Sequence, residues 1–184
     1  MSPTVVAVDG ALDRFAEPDV DPAWLDPVLV VCPRCAARAI VRGDRSRARL
    51  VCDGCGLARS WDGEHLHVLV DGAPVVLDRG ERAWVDPDTG RGVRVFIEPQ
   101  GTDVRFGTPV WLRSECCGGQ LLWANNPAHL DYLEAYVTAR LREHAPGPAP
   151  LSAKLPAWMK SAKNREEVLK HLHRLRRRLD TDES

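Results

Sequence analysis

Two C-x-x-C pairs, Cys32-Pro33-Arg34-Cys35 and Cys52-Asp53-Gly54-Cys55, stand sixteen residues apart in the first third of the chain. A pair at that spacing bends into a knuckle offering two thiolates, and two knuckles complete a tetrahedron. Cys32, Cys35, Cys52 and Cys55 therefore read as one tetrathiolate zinc site. The residues between them fit a hairpin. Ala39, Ile40 and Val41 lie in an outgoing strand from Arg38 to Arg42, Gly43-Asp44-Arg45-Ser46 has turn chemistry, and Arg47 to Val51 returns to the second knuckle. Two redox motifs, or four unrelated thiols, are the plainer readings, and the paired, hairpin-separated arrangement argues against both.

With Gly56 after the second pair, this segment resembles the zinc ribbon of the transcription factor IIB type over about residues 30 to 61. The resemblance implies zinc and a ribbon fold. Its best-known members contact RNA polymerase, but no pair of long helical repeats follows here, so no role in initiation is carried over. Ala36 stands where such ribbons often place glycine, whereas Gly56 keeps it. Glycine there allows a positive φ while amides turn toward the thiolates, so Ala36 implies modest strain or a different first turn.

The remainder reads as α+β: the N-terminal zinc ribbon, then antiparallel β hairpins, a packing helix and a basic C-terminal helix. The 184 residues divide into an acidic arm (1–28), the ribbon (29–61), an α+β domain (62–143), a Pro-rich linker (144–154) and a basic helical segment (155–184). The arm, broken by Pro18, Pro22 and Pro27, has room for one short helix near Ala11 to Ala16. Leu66, Val68 and Val70 alternate before Asp71-Gly72, and Val75-Val76-Leu77 returns, predicting a hairpin. His65 and His67 share a face of it, an H-x-H pair without a cysteine or carboxylate at ligand spacing. Residues 78 to 92 are polar, with Asp86-Pro87-Asp88-Thr89-Gly90 reading as a loop, and Val93, Val95 and Ile97 alternate as a strand. Residues 109–113 and 120–124 flank a tip holding Cys116-Cys117-Gly118-Gly119, read as small thiols at a tight turn, outside the zinc shell.

Asn126-Pro127 opens the clearest helix, as N-cap and first helical residue, with Leu130, Leu133, Val137 and Leu141 along one face. Leu155 to Lys160 begins a short helical turn. Asn164 and Glu167 then match an N-cap with a glutamate three residues on, and Val168, Leu172, Leu175 and Leu179 form a narrow apolar seam. The ribbon together with Trp111-Leu112, Cys116-Cys117-Gly118-Gly119, Leu121-Leu122-Trp123-Ala124 and the run from Leu155 to Arg165 is similar to uncharacterised bacterial proteins labelled as ribbon-containing. That likeness spans most of residues 30 to 175 and implies architecture, not an activity.

Formal net charge is −1, but residues 1–31 carry six acids against Arg14, while residues 154–178 carry nine Lys or Arg against Glu166 and Glu167. Such asymmetry points to an internal acidic-to-basic contact or an anionic partner. A nucleic-acid-associated regulator would use Arg47 and Arg49 on one ribbon face and Lys170, Arg174, Arg176, Arg177 and Arg178 on the last helix as phosphate contacts. A protein-interaction adaptor would instead dock through the ribbon edge, Trp158, Met159 and Leu172. An enzyme is not expected, since no nucleophile-base pair, phosphate loop or acidic metal pair assembles, and a four-thiolate zinc is coordinatively closed. Met1 to Gly10 lacks the basic flank and long apolar core of a signal peptide, and no apolar run reaches membrane-spanning length. The expectation is a cytoplasmic protein, where clustered thiols bind metal more often than they pair.

Overall fold

The structure is a computed structural model that describes residues 14–16, 26–44, 46–70, 73–78, 83–85, 87–90, 92–94, 101–139, 141–143, 152 and 155–182. The predicted hairpin is the middle of a four-stranded antiparallel sheet. After a short strand β1 (Arg14–Ala16), its strands are β2 (Val28–Val31), β3 (Arg38–Gly43), β4 (Ala48–Cys52) and β5 (Leu57–Trp61), in that order. Side chains alternate across it. In β4, Ala48, Leu50 and Cys52 are buried while Arg49 and Val51 face out. The inner face packs Val28, Val30, Ala39, Val41, Leu50, Leu57 and Trp61 with Val110 into one core.

The hairpin tip is held from three directions. Asp44 Oδ1 accepts the amides of Ser46 and Arg47, at 2.7 and 3.0 Å. Gly43 donates its N–H to Asp26 Oδ1 at 3.0 Å and accepts from the Arg105 guanidinium at 3.1 Å, and Arg105 is itself paired with buried Asp103. Gly43 adopts φ 133°, where a Cβ would stand 2.2 Å from the Arg47 carbonyl oxygen, so only glycine fits.

Further on, β6 (His65–Val70) pairs with β7 (Ala73–Asp78) as expected, the Asp71-Gly72 turn lying outside the described residues. Within the polar stretch, a strand β8 (Ala83–Val85) pairs with β9 (Gly92–Arg94), and residues 87–89 turn between them inside the expected loop; Val95 and Ile97 lie outside the described residues. The pair β10 (Thr102–Asp103) and β11 (Thr108–Pro109) leads into β12 (Leu112–Cys116) and β13 (Gln120–Ala124). Helix α1 (Pro127–Thr138) starts where predicted, with Asn126 Oδ1 accepting the His129 amide at 2.9 Å. Leu141 does not continue its face. The chain turns extended at Ala139, whose carbonyl accepts from Arg165, and β14 (Leu141–Glu143) pairs in parallel with β1. The helix expected near Ala11 to Ala16 is therefore a strand where it is described, because residues 14–16 find a partner for their backbone groups in residues 141–143. The linker residues 144–150 lie outside the described residues.

Helix α2 (Ala157–Lys160) and a 3₁₀ turn (Ala162–Asn164) run into α3 (Arg165–Asp182). The expected capping pair is not made. Asn164 donates its side-chain amide to the Trp158 carbonyl at 2.9 Å, and Glu167 accepts from the Cys117 amide, because the 3₁₀ turn already supplies the first turn. The seam of Val168, Leu172, Leu175 and Leu179 is buried against α1 and the β12–β13 hairpin, in a second core with Leu112, Leu122, Leu130, Leu133 and Val137. Each such side chain contributes up to about 1.5–3 kcal/mol by leaving water. Arg165 bonds near the C-terminus of α1, while Arg176 reaches Asp131 and Glu134 nearer its start, so the two helices run antiparallel. Leu29 and Ile40, opposite each other on the outer face of the ribbon sheet, also join this second core. The ribbon and the C-terminal helix thus share a core with the middle of the chain.

Candidate metal centre

The four cysteines of the two knuckles converge as their spacing requires. Cys32 directly follows β2 and Cys52 ends β4, so the sheet register places the knuckles side by side. The Cys32 carbonyl accepts the Ala36 amide at 3.0 Å and the Cys52 carbonyl accepts the Gly56 amide at 2.9 Å, giving two matching turns. Their φ angles also match, 60° at Ala36 and 69° at Gly56. Ala36 therefore keeps the usual turn and carries the strain of a left-handed alanine.

The sulfurs of Cys32 and Cys55 lie 3.7 Å apart and those of Cys35 and Cys52 lie 3.6 Å apart, with all four within 4.8 Å of one another. Thiolates about 2.3 Å from a central ion in a tetrahedron stand about 3.8 Å apart, so this cluster fits a four-coordinate metal. A disulfide would need about 2.05 Å. Burial raises the Cys32 thiol, but the amides of Arg34 and Cys35 and bonds from Cys52 and Cys35 more than offset that and leave it at about 6. An all-sulfur tetrahedron selects soft ions such as zinc or iron and leaves no open position. A metal held there would staple β2 through β5 at one end.

Cys116 and Cys117 stand apart from this cluster. Cys116 is the last residue of β12, buried, its thiol pushed up to about 12 mainly by burial. Cys117 begins the turn to β13 with φ 52°. The turn is shorter than the sequence suggested, because the Cys116–Gln120 pair still belongs to the ladder.

The basic residues separate into two groups. Arg176 is tied to Asp131 and Glu134 of α1, and Arg178 lies over the Trp111 ring at 3.6 Å while donating to its carbonyl at 3.0 Å. Both side chains, read from the sequence as phosphate contacts, are thus engaged within the chain itself. Lys170, Arg174 and Arg177 instead line a shallow depression on the outer face of α3 with Glu166, Leu169 and His173. Arg47 and Arg49 are exposed on the ribbon, and Arg49 stands directly opposite Arg42. The proposed partner anchors are also corrected. Leu172 and Met159 are 0% and 5% exposed inside the second core, and Trp158 packs half-buried against it.

Contacts invisible in the sequence complete the picture. Ser114 Oγ lies 2.7 Å from His171 Nδ1, at the seam between β12 and α3, and His171 is held below its ordinary pKa by burial and by Arg174 and Lys170. His129 is buried between Trp123 and Tyr132; its Nδ1 accepts the Asn125 amide at 3.2 Å, and burial pushes it down to about 4. His65 has a carboxylate after all: Asp78, opposite in the ladder, lies 2.8 Å from its Nδ1, although with His67 it makes no three-ligand group. Among the described residues no helix is long and apolar enough to cross a membrane. The chain matches no protein-family model, no curated protein and no solved structure.

Proposed function

We propose that this is a non-catalytic, cytoplasmic zinc protein of the zinc-ribbon class that associates with nucleic acid through its phosphates. The observation that supports the nucleic-acid reading is a set of exposed cations, Arg42, Arg47 and Arg49 on the ribbon and Lys170, Arg174 and Arg177 on α3, with no ion-pair partner among the described residues. Arg42 and Arg49 are directly opposed across β3 and β4, an arrangement that costs stability unless an anion lies between them. Zinc is the ion chosen for the four thiolates because the site is closed and its sulfur spacing fits a tetrahedron. A closed site leaves no position to activate water, and the Ser114–His171 contact sits within a packing seam, which supports a binding role.

An adaptor reading rests on a different observation: β5 is an edge strand of the ribbon sheet, with Ala58, Arg59 and Ser60 exposed, and offers its outer backbone groups to an extended peptide. Metal analysis together with titration of labelled duplex DNA, single-stranded DNA and RNA at low salt separates the two. Zinc at one per chain with salt-sensitive binding supports the first reading; zinc without binding to any of the three supports the adaptor.

A further inference from the structure

The four-stranded sheet has two edges, and the chain treats them differently. At the β2 edge, Leu29 donates its N–H to the Asn125 carbonyl at 2.7 Å, and its own carbonyl accepts the Trp111 amide at 2.8 Å. Val30 bridges to Val110 beside it. Residues 110, 111 and 125 therefore close that edge. At the other edge β5 pairs with β4 alone, and none of Leu57–Trp61 makes a further backbone hydrogen bond among the described residues.

Register decides which groups the free edge offers. In an antiparallel sheet a residue turns both its N–H and its C=O toward one neighbour, and successive residues alternate between the two neighbours. Leu29, Ile40, Val51 and Ala58 form one row across the sheet. Because Leu29 points both groups away from β3, Ile40 and Val51 bond to each other, and Ala58 points both of its groups away from β4. Ser60, two residues on, does the same. The edge thus presents two N–H donors and two carbonyls in line, at the spacing an added strand requires.

The side chains beside these groups set which strand fits. Ala58 and Ser60 are small, exposed and on the outer face. Behind them on that face stand Val51, 37% exposed, and Arg49, itself opposite Arg42. An added strand lies about 4.8 Å beyond β5. A large apolar side chain opposite Ala58 then leans across it onto Val51, and a carboxylate opposite Ser60 reaches the Arg49 guanidinium. On the other face, between these two positions, Arg59 is exposed with no ion-pair partner among the described residues, and it matches a second acid. A second copy of this chain does not fit. Pairing β5 antiparallel with its own copy through Ala58 and Ser60 sets Arg59 directly against Arg59, and like charges so opposed destabilise a ladder.

We propose that the β5 edge takes up an extended acidic peptide of a partner protein as a fifth, antiparallel strand. In its own N-to-C direction the peptide places an acid opposite Ser60, an acid opposite Arg59 and a large apolar residue opposite Ala58. This rests on the adaptor reading above, names the chemistry of its partner and does not depend on nucleic acid. Backbone bonds supply affinity, Arg49 and Arg59 select the charges, and Val51 selects the third side chain. Arg59 also keeps the bare edge from pairing with itself.

The test is fluorescence anisotropy of the labelled peptide Gly-Thr-Thr-Glu-Glu-Leu-Thr-Thr-Gly with the full chain loaded with zinc. Methylating the backbone nitrogen of its leucine removes a donor aimed at Ala58 and should weaken binding about tenfold. Methylating that of the second glutamate, whose N–H points away from β5, should change binding by less than about twofold. Arg59→Glu should lose the peptide, and exchanging the second glutamate for lysine should restore binding to that variant. Ser60→Pro, which removes only an outward N–H at an edge, should also weaken binding and leave zinc content unchanged. Equal loss from the two methylations, or no rescue of Arg59→Glu by the lysine peptide, overturns the strand pairing while leaving a peptide-binding adaptor. Binding of none of the peptides, with oligonucleotide binding that Arg49→Gln weakens, gives this face to nucleic acid and overturns both. A zinc-loaded dimer that Ser60→Pro dissociates gives the edge to a second copy and overturns the proposal.

Discussion

The carboxylate of Glu167, in the first turn of α3, accepts the amide of Cys117 across 2.6 Å and so ties the start of the last helix to the tip of the β12–β13 hairpin. The bond spans fifty residues of chain and sits where Cys117 holds a left-handed φ. Glu167→Ala should lower unfolding free energy by about 1 kcal/mol, the modest value of a charge-assisted bond that solvent reaches. Glu167→Gln, whose amide oxygen still accepts, should recover most of it. Urea midpoints of the three proteins check this, and zinc content should be the same in all of them.

Purified under reducing conditions, the chain should hold one zinc through Cys32, Cys35, Cys52 and Cys55. A structural zinc supplies on the order of 10 kcal/mol, so chelation should open the ribbon and expose Trp61 before the rest unfolds. Tryptophan fluorescence during chelator titration follows this. The double variant Cys116→Ser with Cys117→Ser should retain full metal content, while Cys52→Ser should lose it; metal lost from the double variant would move the assigned shell.

Ala36 and Gly56 occupy equivalent knuckle turns with nearly the same φ. A left-handed alanine costs about 1–2 kcal/mol, and removing its side chain loosens the unfolded chain by about 0.4–1 kcal/mol. Ala36→Gly should therefore stabilise the zinc form slightly and Gly56→Ala should destabilise it. Zinc competition against a chelator of known affinity reads both signs.

His129 governs part of the pH dependence. Its folded pKa of about 4 lies below the ordinary 6.5, so between those values the unfolded chain binds more protons than the native one. Its contribution is fully present above pH 6.5 and is lost as pH falls toward 4; a shift of that size corresponds to about 3 kcal/mol. Zinc release also weakens the fold in acid. The comparison of wild type with His129→Gln isolates the histidine: the variant should be less stable at neutral pH, and the gap should narrow by pH 5.

Leu172→Ala should cost about 2–5 kcal/mol through the cavity it leaves, whereas Arg174→Gln should change stability by less than about 0.5 kcal/mol. Thermal unfolding distinguishes the core residue from the surface one. A Leu172→Ala protein of unchanged stability would return that side chain to the candidate partner anchors.

What the sequence by itself determined about this protein is what neighbouring residues decide among themselves. The cysteine spacing, the alternation through Ala48 and Leu50, the Asn126-Pro127 helix start and the four-three-four seam of α3 all depend on local geometry, and each is found. Only the tertiary structure decided what the charges and apolar anchors do. Arg176 and Arg177 are adjacent and chemically identical, yet one is committed to Asp131 and Glu134, forty-odd residues away, and the other faces solvent. Leu172 could cover a partner or its own core until α1 and β12 supplied the surface to bury it. The same holds for Leu141, where pairing with residues 14–16 competes with continuation of the helix. Side-chain pairing and burial are settled by contacts between distant segments, so a reading confined to local pattern names the candidates, and packing selects among them.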